Sequence, residues 1–245
     1  MQEFGFALIA TIGVSAISLI GALTLFFRKK SVEKFLLTMV GLSAGALLSG
    51  AFFHLIPESL EVLNAMTSGA IVLIGIIIFF IIEKILHWRH CHKGKCKIHT
   101  FSYMNLIGDA VHNFIDGLII IASFMTNIST AITSLIAIIL HEIPQEIGDF
   151  GVLVYGGIKR SRALLYNFIS ALFAVLGVII GYLFSSYIEN FSAYILPFAA
   201  GGFIYIASSD LIPQLHKTKR VRDVILPFVF FIIGILLVGA VSFFE

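Results

Sequence analysis

Charged residues are scarce in this chain. Only 12% of its 245 residues are Asp, Glu, Lys or Arg, whereas an ordinary soluble domain contains about 25%. Hydrophobic residues make up 59% of the chain, and the mean hydropathy is +1.03. Too few polar side chains remain to cover a water-exposed surface, so the composition excludes an ordinary soluble domain. It predicts an integral membrane protein.

Long polar segments are also missing, because apolar runs of 18 or more residues recur along the whole chain. Each run is long enough for a transmembrane helix. The predicted spans are residues 4–27, 35–58, 67–86, 101–125, 130–156, 162–187, 191–212 and 224–244. The sequence therefore predicts an all-α integral membrane fold with eight transmembrane helices. They form a single transmembrane domain over residues 1–245, with a His- and Cys-containing loop at 87–100.

Basic residues are absent from three of the seven predicted connections, the second, fourth and sixth. All sixteen Lys and Arg residues lie in or beside the first, third, fifth and seventh loops. The charged residues of the opposite loops and both termini are Glu3, Glu61, Glu189 and Glu245. Because basic loops stay in the cytoplasm, this asymmetry predicts that both termini lie outside. The net charge of +2 thus reflects topology and contact with anionic lipids, and does not indicate nucleic-acid binding.

Two predicted spans carry the same polar pattern at their centres. One reads HNFIDG from His112, and the other reads HEIPQE from His141. On a helix, positions i, i+1 and i+4 fall within an arc of about 100°, so each segment aims an imidazole and two oxygen donors in one direction. These donors are His112, Asn113, Asp116, His141, Glu142 and Gln145.

A carboxylate at membrane depth costs roughly 2.5–3.5 kcal/mol. The two carboxylates among these six donors, Asp116 and Glu142, therefore need compensation, for which a divalent metal ion is the obvious candidate. The alternative is that each polar residue only forms a hydrogen bond between helices. That alternative explains a lone histidine well, but it does not explain two histidines, two acids and two amides at one depth.

Polar residues extend from both motifs along the length of their helices. Asp109 and Asp149 are predicted in the cytoplasmic half of this stripe, and Glu146 lies beside it. Hydroxyl groups at Ser123, Thr130 and Ser134 extend the stripe into the outer half. Facing stripes of this kind make a hydrophilic path through a helix bundle. Histidine, carboxylate and amide ligands suit Zn²⁺, and also Fe²⁺, Mn²⁺, Co²⁺ or Cd²⁺, better than Ca²⁺, Mg²⁺ or Cu⁺.

Residues 44–58 and 200–214 resemble each other. They read AGALLSGAFFHLIPE and AGGFIYIASSDLIPQ, with six identities in fifteen aligned positions. The second and seventh predicted helices, which contain them, run in opposite directions. The sequence therefore predicts an inverted repeat of helices 1–3 and 6–8 around a central pair, helices 4 and 5, as in many secondary transporters. Chance recurrence of Ala-Gly and Leu-Ile-Pro in apolar sequence is the alternative.

At these residues the chain resembles the ZIP family of divalent metal transporters, over all eight spans. HNFIDG and HEIPQE look closest to the branch whose motifs are HNFxDG and HExPHE. The resemblance implies metal uptake into the cytoplasm through a site between helices 4 and 5, with no organic cofactor. Carried over by position, His112, Asp116, His141 and Gln145 match one metal site.

The same resemblance implies a second site at Asn113, Asp116, Glu142 and Gln145, and Asn167 lies where some members add a ligand. It also implies an elevator transporter, a homodimer and a location in the cell membrane. Two residues depart from the family pattern. Gln145 stands where relatives usually carry His or Glu, which puts a stable second metal in doubt, and Gly50 stands where many relatives have Asp.

Two further groups are candidate ligands. His54 and Glu58 share a face near the outer end of helix 2, and either receive metal or form hydrogen bonds to a neighbouring helix. The loop at 87–100 either binds zinc loosely or is a flexible basic loop, and its candidate ligands are His87, His90, Cys91, His92, Cys96 and His99.

Two other functions are consistent with parts of the sequence. An intramembrane metal-dependent hydrolase would use an HExxH motif, but Gln145 replaces the second histidine. A cation-diffusion exporter would also use HxxxD, but that class usually has six spans and a soluble C-terminal domain. We therefore expect a metal-ion uptake transporter that is not an enzyme.

Overall fold

The computed structural model describes residues 2–20, 29–88, 98–155, 158–216 and 221–240. Within these ranges the chain is helical apart from short turns, and no strand occurs. We number the helices as eight consecutive segments. They are α1 (Gln2–Ala16), α2 (Lys29–Gly50, with a π-helical turn at Ala51–Leu55 and a last part at Ile56–Leu60), α3 (Ala65–Trp88), α4 (Ile98–Thr126), α5 (Ile128–Tyr155), α6 (Arg160–Ala171 and Phe173–Ser185), α7 (Phe191–Tyr205, with a π-helical turn at Ile206–Leu211 and a last part at Ile212–His216) and α8 (Val221–Gly239).

Seven of these segments, α1 to α7, are long and apolar enough to cross a membrane. The apolar part of α8, Ile225–Gly239, is shorter. The prediction of an all-α, multi-pass membrane protein is therefore confirmed, whereas the number of eight transmembrane helices stays a prediction. The last part of the first predicted span lies outside the described residues. The sixth predicted span forms two helical pieces that meet at Leu172.

Glycines bring the helices together in pairs. In the α2–α8 pair, a Cβ atom on Gly45 would collide with the backbone of Phe231, and one on Gly234 would collide with the backbone of Leu42. In the α3–α7 pair, Gly75 approaches the backbone of Phe198 in the same way, and Gly201 approaches that of Val72. Small residues allow such close approach of membrane helices. Along α2 and α8 the contacts Gly41–Pro227 and Gly45–Phe231 rise together, so these two helices run parallel. Along α3 and α7 the contacts Val72–Gly201 and Glu83–Tyr205 rise together in the same way.

The repeat predicted from sequence has a counterpart in the backbone. In the alignment of 44–58 with 200–214, Gly45 corresponds to Gly201, and the π-helical turns at Ala51–Leu55 and Ile206–Leu211 fall at matching places. Each turn lies just before a Leu-Ile-Pro sequence. Because proline lacks an N–H group and its ring clashes with the carbonyl group four residues earlier, the helix widens there to the π-helical hydrogen-bond pattern. The two motifs thus have the same physical effect on α2 and α7.

The helices α4 and α5 form the centre of the fold. Ser123 on α4 shares a hydrogen bond of 2.8 Å with Ser134 on α5, and His112 meets His141 further along, so the two helices are antiparallel. α4 also packs against α6, where Gly117 and Gly177 let the two backbones touch. α5 packs against α2. The central pair is therefore enclosed by helices from both halves of the chain.

Candidate metal-ion site

Four side chains from α4 and α5 converge on one point. The group consists of His112 and Asp116 from α4 and His141 and Glu142 from α5, and one ligand atom from each lies within 4.8 Å of the others. The histidine Nε2 atoms are 3.0 Å apart. His141 Nε2 lies 3.2 Å from Asp116 Oδ2, and both Nε2 atoms lie 3.5 Å from Glu142 Oε1. We call these four residues the histidine cluster.

The histidine cluster is buried. Asp116, His141 and Glu142 are at most 2% exposed, and the side chain of His112 is 12% exposed. Among the residues that the structure describes, nothing donates a hydrogen bond to Asp116 Oδ2 or Glu142 Oε1. Unsatisfied buried acceptors are unfavourable, and those of charged groups are the most unfavourable. A cation bound between these two oxygens and the two ring nitrogens would satisfy the unpaired acceptors.

The backbone of α5 fixes the protonation of His141. Its Nδ1 lies 3.0 Å from the carbonyl oxygen of Ala137. Since a carbonyl oxygen can only accept a hydrogen bond, Nδ1 carries a proton, and in the neutral ring the lone pair of Nε2 faces the cluster. The edge of the Phe203 ring lies against the imidazole, with the ring centres 6.0 Å apart. The Nδ1 contact thus orients the ring so that Nε2 is the nitrogen available to a metal ion in the cluster.

Two of the six predicted ligands stand apart from the histidine cluster. The amide nitrogen of Asn113 donates to the carbonyl oxygen of Asp109 at 3.1 Å and to its Oδ1 at 3.0 Å. The side-chain nitrogen of Asn113 therefore points along α4 towards Asp109, away from the histidines. Gln145 is partly buried on the next turn of α5. Their roles as ligands stay predictions.

A second polar group lies one turn towards the predicted cytoplasmic side. Asp109, Glu146 and Asn167 are each at most 4% exposed. Asn167 on α6 donates to Glu146 Oε2, and Ser170 on the same helix donates to Asp109 Oδ2. Sequence reasoning did not single out Ser170, although its position three residues after Asn167 puts both on one face of α6. Asp149, which the sequence also predicts in the cytoplasmic half of the stripe, is partly buried.

The candidate ligands of α2 have hydrogen-bond partners in this structure. The Nε2 atom of His54 donates to the carbonyl oxygen of Val238 at 3.1 Å, and Thr133 on α5 lies 3.3 Å from its Nδ1. Glu58 Oε1 accepts a hydrogen bond of 2.6 Å from Asn127. The structure therefore shows the hydrogen-bonding alternative for both residues, and metal binding by them stays a prediction. Thr133 is the residue here that the sequence did not indicate.

The candidate loop ligands cannot be placed. The described backbone includes His87 and His99, but their side chains lie outside the described residues. The other four, His90, Cys91, His92 and Cys96, also lie outside them.

Comparison with known proteins finds similarity to zinc and metal-ion transporters of the ZIP family. The family model described as "ZIP Zinc transporter" matches residues 4–96 and 89–242. Zinc transporter zipt-7.1 of Caenorhabditis briggsae is 29% identical over 89% of this chain and 71% of its own length. Metal cation symporter ZIP14 of Pongo abelii is 28% identical over 96% of this chain and 66% of its own length. Zinc transporter ZIP10 of Mus musculus is 37% identical over 51% of this chain, but only 16% of that protein is covered.

Proposed function

The chain belongs to the ZIP family, and we propose that it carries Zn²⁺ into the cytoplasm through the histidine cluster between α4 and α5. Members of this family are divalent-metal transporters of multi-pass membrane architecture and not enzymes. Family membership therefore argues against the hydrolase and against the cation-diffusion family as alternatives. The direction of transport, the site and the preferred metal are parts of the proposal.

One observation carries the proposal, namely the meeting of two imidazoles and two carboxylates at the centre of the described chain. Nitrogen and oxygen donors together suit Zn²⁺ and its neighbours Fe²⁺, Mn²⁺, Co²⁺ and Cd²⁺. A transported ion must also leave its site. Ligands on helices that can move release an ion more readily than a closed structural cage. The amide of Gln145, where relatives usually carry a stronger ligand, would favour release as well.

The burial of the stripe supports transport by alternating access. In the outer half, Ser123, Thr130, Thr133 and Ser134 are at most 1% exposed. In the inner half, Asp109, Glu146 and Asn167 are also buried, but Gln145 and Asp149 are partly exposed. We infer that this conformation is closed towards the outside, so that an ion in the histidine cluster would next leave towards the cytoplasm.

Three polar contacts join α2 to α5 along one seam. Ser43 donates to the carbonyl oxygen of Leu140 at 2.5 Å, Thr133 contacts His54, and Asn127 near the start of α5 donates to Glu58. We propose that this seam lies between a moving group, α1 and α4–α6, and a static group, α2, α3, α7 and α8. If the moving group slides along this seam against the static group, the protein is an elevator transporter. A homodimer in the plasma membrane, with the static groups in contact, completes the proposal.

Uptake into sealed vesicles tests the proposed function. Purified protein is reconstituted with a metal-sensitive dye inside, and Zn²⁺, Cd²⁺, Co²⁺, Mn²⁺ or Fe²⁺ is added outside. We expect saturable Zn²⁺ uptake that the other four ions inhibit, and no inhibition by Ca²⁺ or Mg²⁺, because these ions prefer oxygen ligands alone. Vesicles without protein are the control. Absence of saturable flux of any of the five ions would contradict the proposed function.

A further inference from the structure

The backbone carbonyl group of Leu140 lacks the hydrogen-bond partner that a regular helix would give it. That partner would be the N–H group four residues later, but the residue there is Pro144, which has no N–H group. Leu140 directly precedes His141 of the histidine cluster. At membrane depth a backbone acceptor without a partner is strongly unfavourable. The Leu140 carbonyl group therefore needs a donor from another helix.

Ser43 on α2 supplies that donor. Ser43 is fully buried, and its hydroxyl group donates to the Leu140 carbonyl oxygen at 2.5 Å. The same hydroxyl group lies 2.8 Å from the carbonyl oxygen of Met39, one turn earlier on its own helix. Because a serine hydroxyl group has a single proton and rotates about its bond to carbon, it can serve either acceptor. Ser43 thus has a second partner on α2, whereas Pro144 leaves the Leu140 carbonyl group without one on α5.

The bond from Ser43 to Leu140 crosses the seam between the moving group and the static group. Elsewhere on this seam α2 and α5 approach each other through small residues, since a Cβ atom on Gly50 would only touch the Cβ atom of Ala137, at 3.5 Å. Apolar contacts of this kind are remade with other side chains when helices slide. A slide of one helical turn, about 5.4 Å, would instead break the hydrogen bond from Ser43.

We propose that Ser43 is a positioning residue that holds the protein in this outward-closed conformation, by donating to the carbonyl group that Pro144 leaves without a helical partner. The proposal rests on the elevator motion proposed above. When the moving group slides towards the outside, the Ser43 hydroxyl group turns to Met39, and the Leu140 carbonyl group loses its donor. Removing the hydroxyl group therefore raises the free energy of the outward-closed conformation and leaves that of the outward-open conformation almost unchanged.

Labelling of a cysteine in the outer half of the pathway measures this conformational equilibrium. Ser134→Cys puts the reporter at a position that is 1% exposed in the outward-closed conformation. The two native thiols are removed by Cys91→Ser and Cys96→Ser. A membrane-impermeant maleimide is added outside intact cells that express the full-length protein, together with a chelator that removes divalent metal ions. The labelling rate then follows the population that is open to the outside.

The labelling rate is compared between Ser43→Ala and a matched control, Ser49→Ala. Ser49 is buried on the same helix and donates to the carbonyl oxygen of Ile235 on α8 at 2.9 Å. That contact lies within the static group, so sliding does not change it. Both substitutions are repeated with Pro144→Ala, which restores the N–H group that the Leu140 carbonyl group lacks. Melting curves in detergent show that each variant is folded.

We expect Ser43→Ala to raise the labelling rate about 3- to 20-fold, the range that hydrogen bonds between membrane helices span. Ser49→Ala should label at the wild-type rate. With Pro144→Ala present, Ser43→Ala should change the rate by less than about twofold, because the two residues act on one carbonyl group.

An unchanged labelling rate in Ser43→Ala would overturn the proposal. An equal effect of Ser43→Ala with and without Pro144 would also overturn it, since Ser43 would then act through packing alone. Zinc uptake by the wild type decides the proposed function separately, because labelling is measured without metal.

Discussion

Replacing His141 with alanine is expected to abolish zinc uptake while the protein stays folded. The change removes one of the two ring nitrogens that the proposed site offers to the ion. Loss of a group that merely supports a ligand already costs about 10–100-fold in metal affinity, and loss of a ligand should cost more. Folding should survive, because the helix around His141 keeps its backbone hydrogen bonds and the variant residue is a strong helix former.

The measurement is the initial rate of Zn²⁺ uptake into vesicles at several zinc concentrations, together with a melting curve in detergent. His216→Ala is the control, because His216 is exposed at the end of α7. We expect this control to transport at the wild-type rate. If His141→Ala also transported zinc at the wild-type rate, the ion would have to cross the membrane elsewhere.

The second large effect is expected from Gly117→Val, and it concerns folding. A Cβ atom at Gly117 would collide with the backbone carbonyl group of Ala174 on α6, and Gly177 approaches Phe114 on α4 in the same way. Because the obstacles are backbone atoms, no side chain can rotate aside. The helices α4 and α6 must separate, and the cost should exceed the roughly 1–3 kcal/mol of ordinary overpacking.

Gly69→Val is the matched control, since a Cβ atom at Gly69 meets no other atom within 4 Å. We expect Gly117→Val to lower the melting temperature strongly or to prevent recovery of monodisperse protein, and Gly69→Val to behave much more like the wild type. Equal stability of the two variants would show that α4 and α6 do not pack as closely as the structure indicates. The glycine of the HNFIDG motif would then have no packing role.

The sequence predicted well those features that depend on the spacing within one helix. The i, i+1 and i+4 pattern put His112 and Asp116 on one face of α4. The same rule put His141 and Glu142 on one face of α5, because an α-helix turns by about 100° per residue whatever surrounds it. The recurrence of Leu-Ile-Pro likewise indicated that α2 and α7 are related. The π-helical turn before each of these prolines follows from the missing N–H group and the ring of proline.

Features that depend on how helices meet could not be predicted in this way. The partnership of Ser170 with Asp109, and that of Thr133 with His54, join segments far apart in the chain. Such contacts depend on the crossing angle and register of neighbouring helices, which intrahelical spacing does not fix.

X-ray absorption at the zinc edge of protein loaded with one equivalent of Zn²⁺ tests the central claim most directly. The histidine cluster predicts a shell with two imidazole nitrogens at about 2.0–2.1 Å and oxygen ligands from Asp116 and Glu142. Imidazole scattering should weaken in His141→Ala. A shell of sulfur ligands at about 2.3 Å would put the ion on Cys91 and Cys96 instead, and a shell without imidazole would contradict the account.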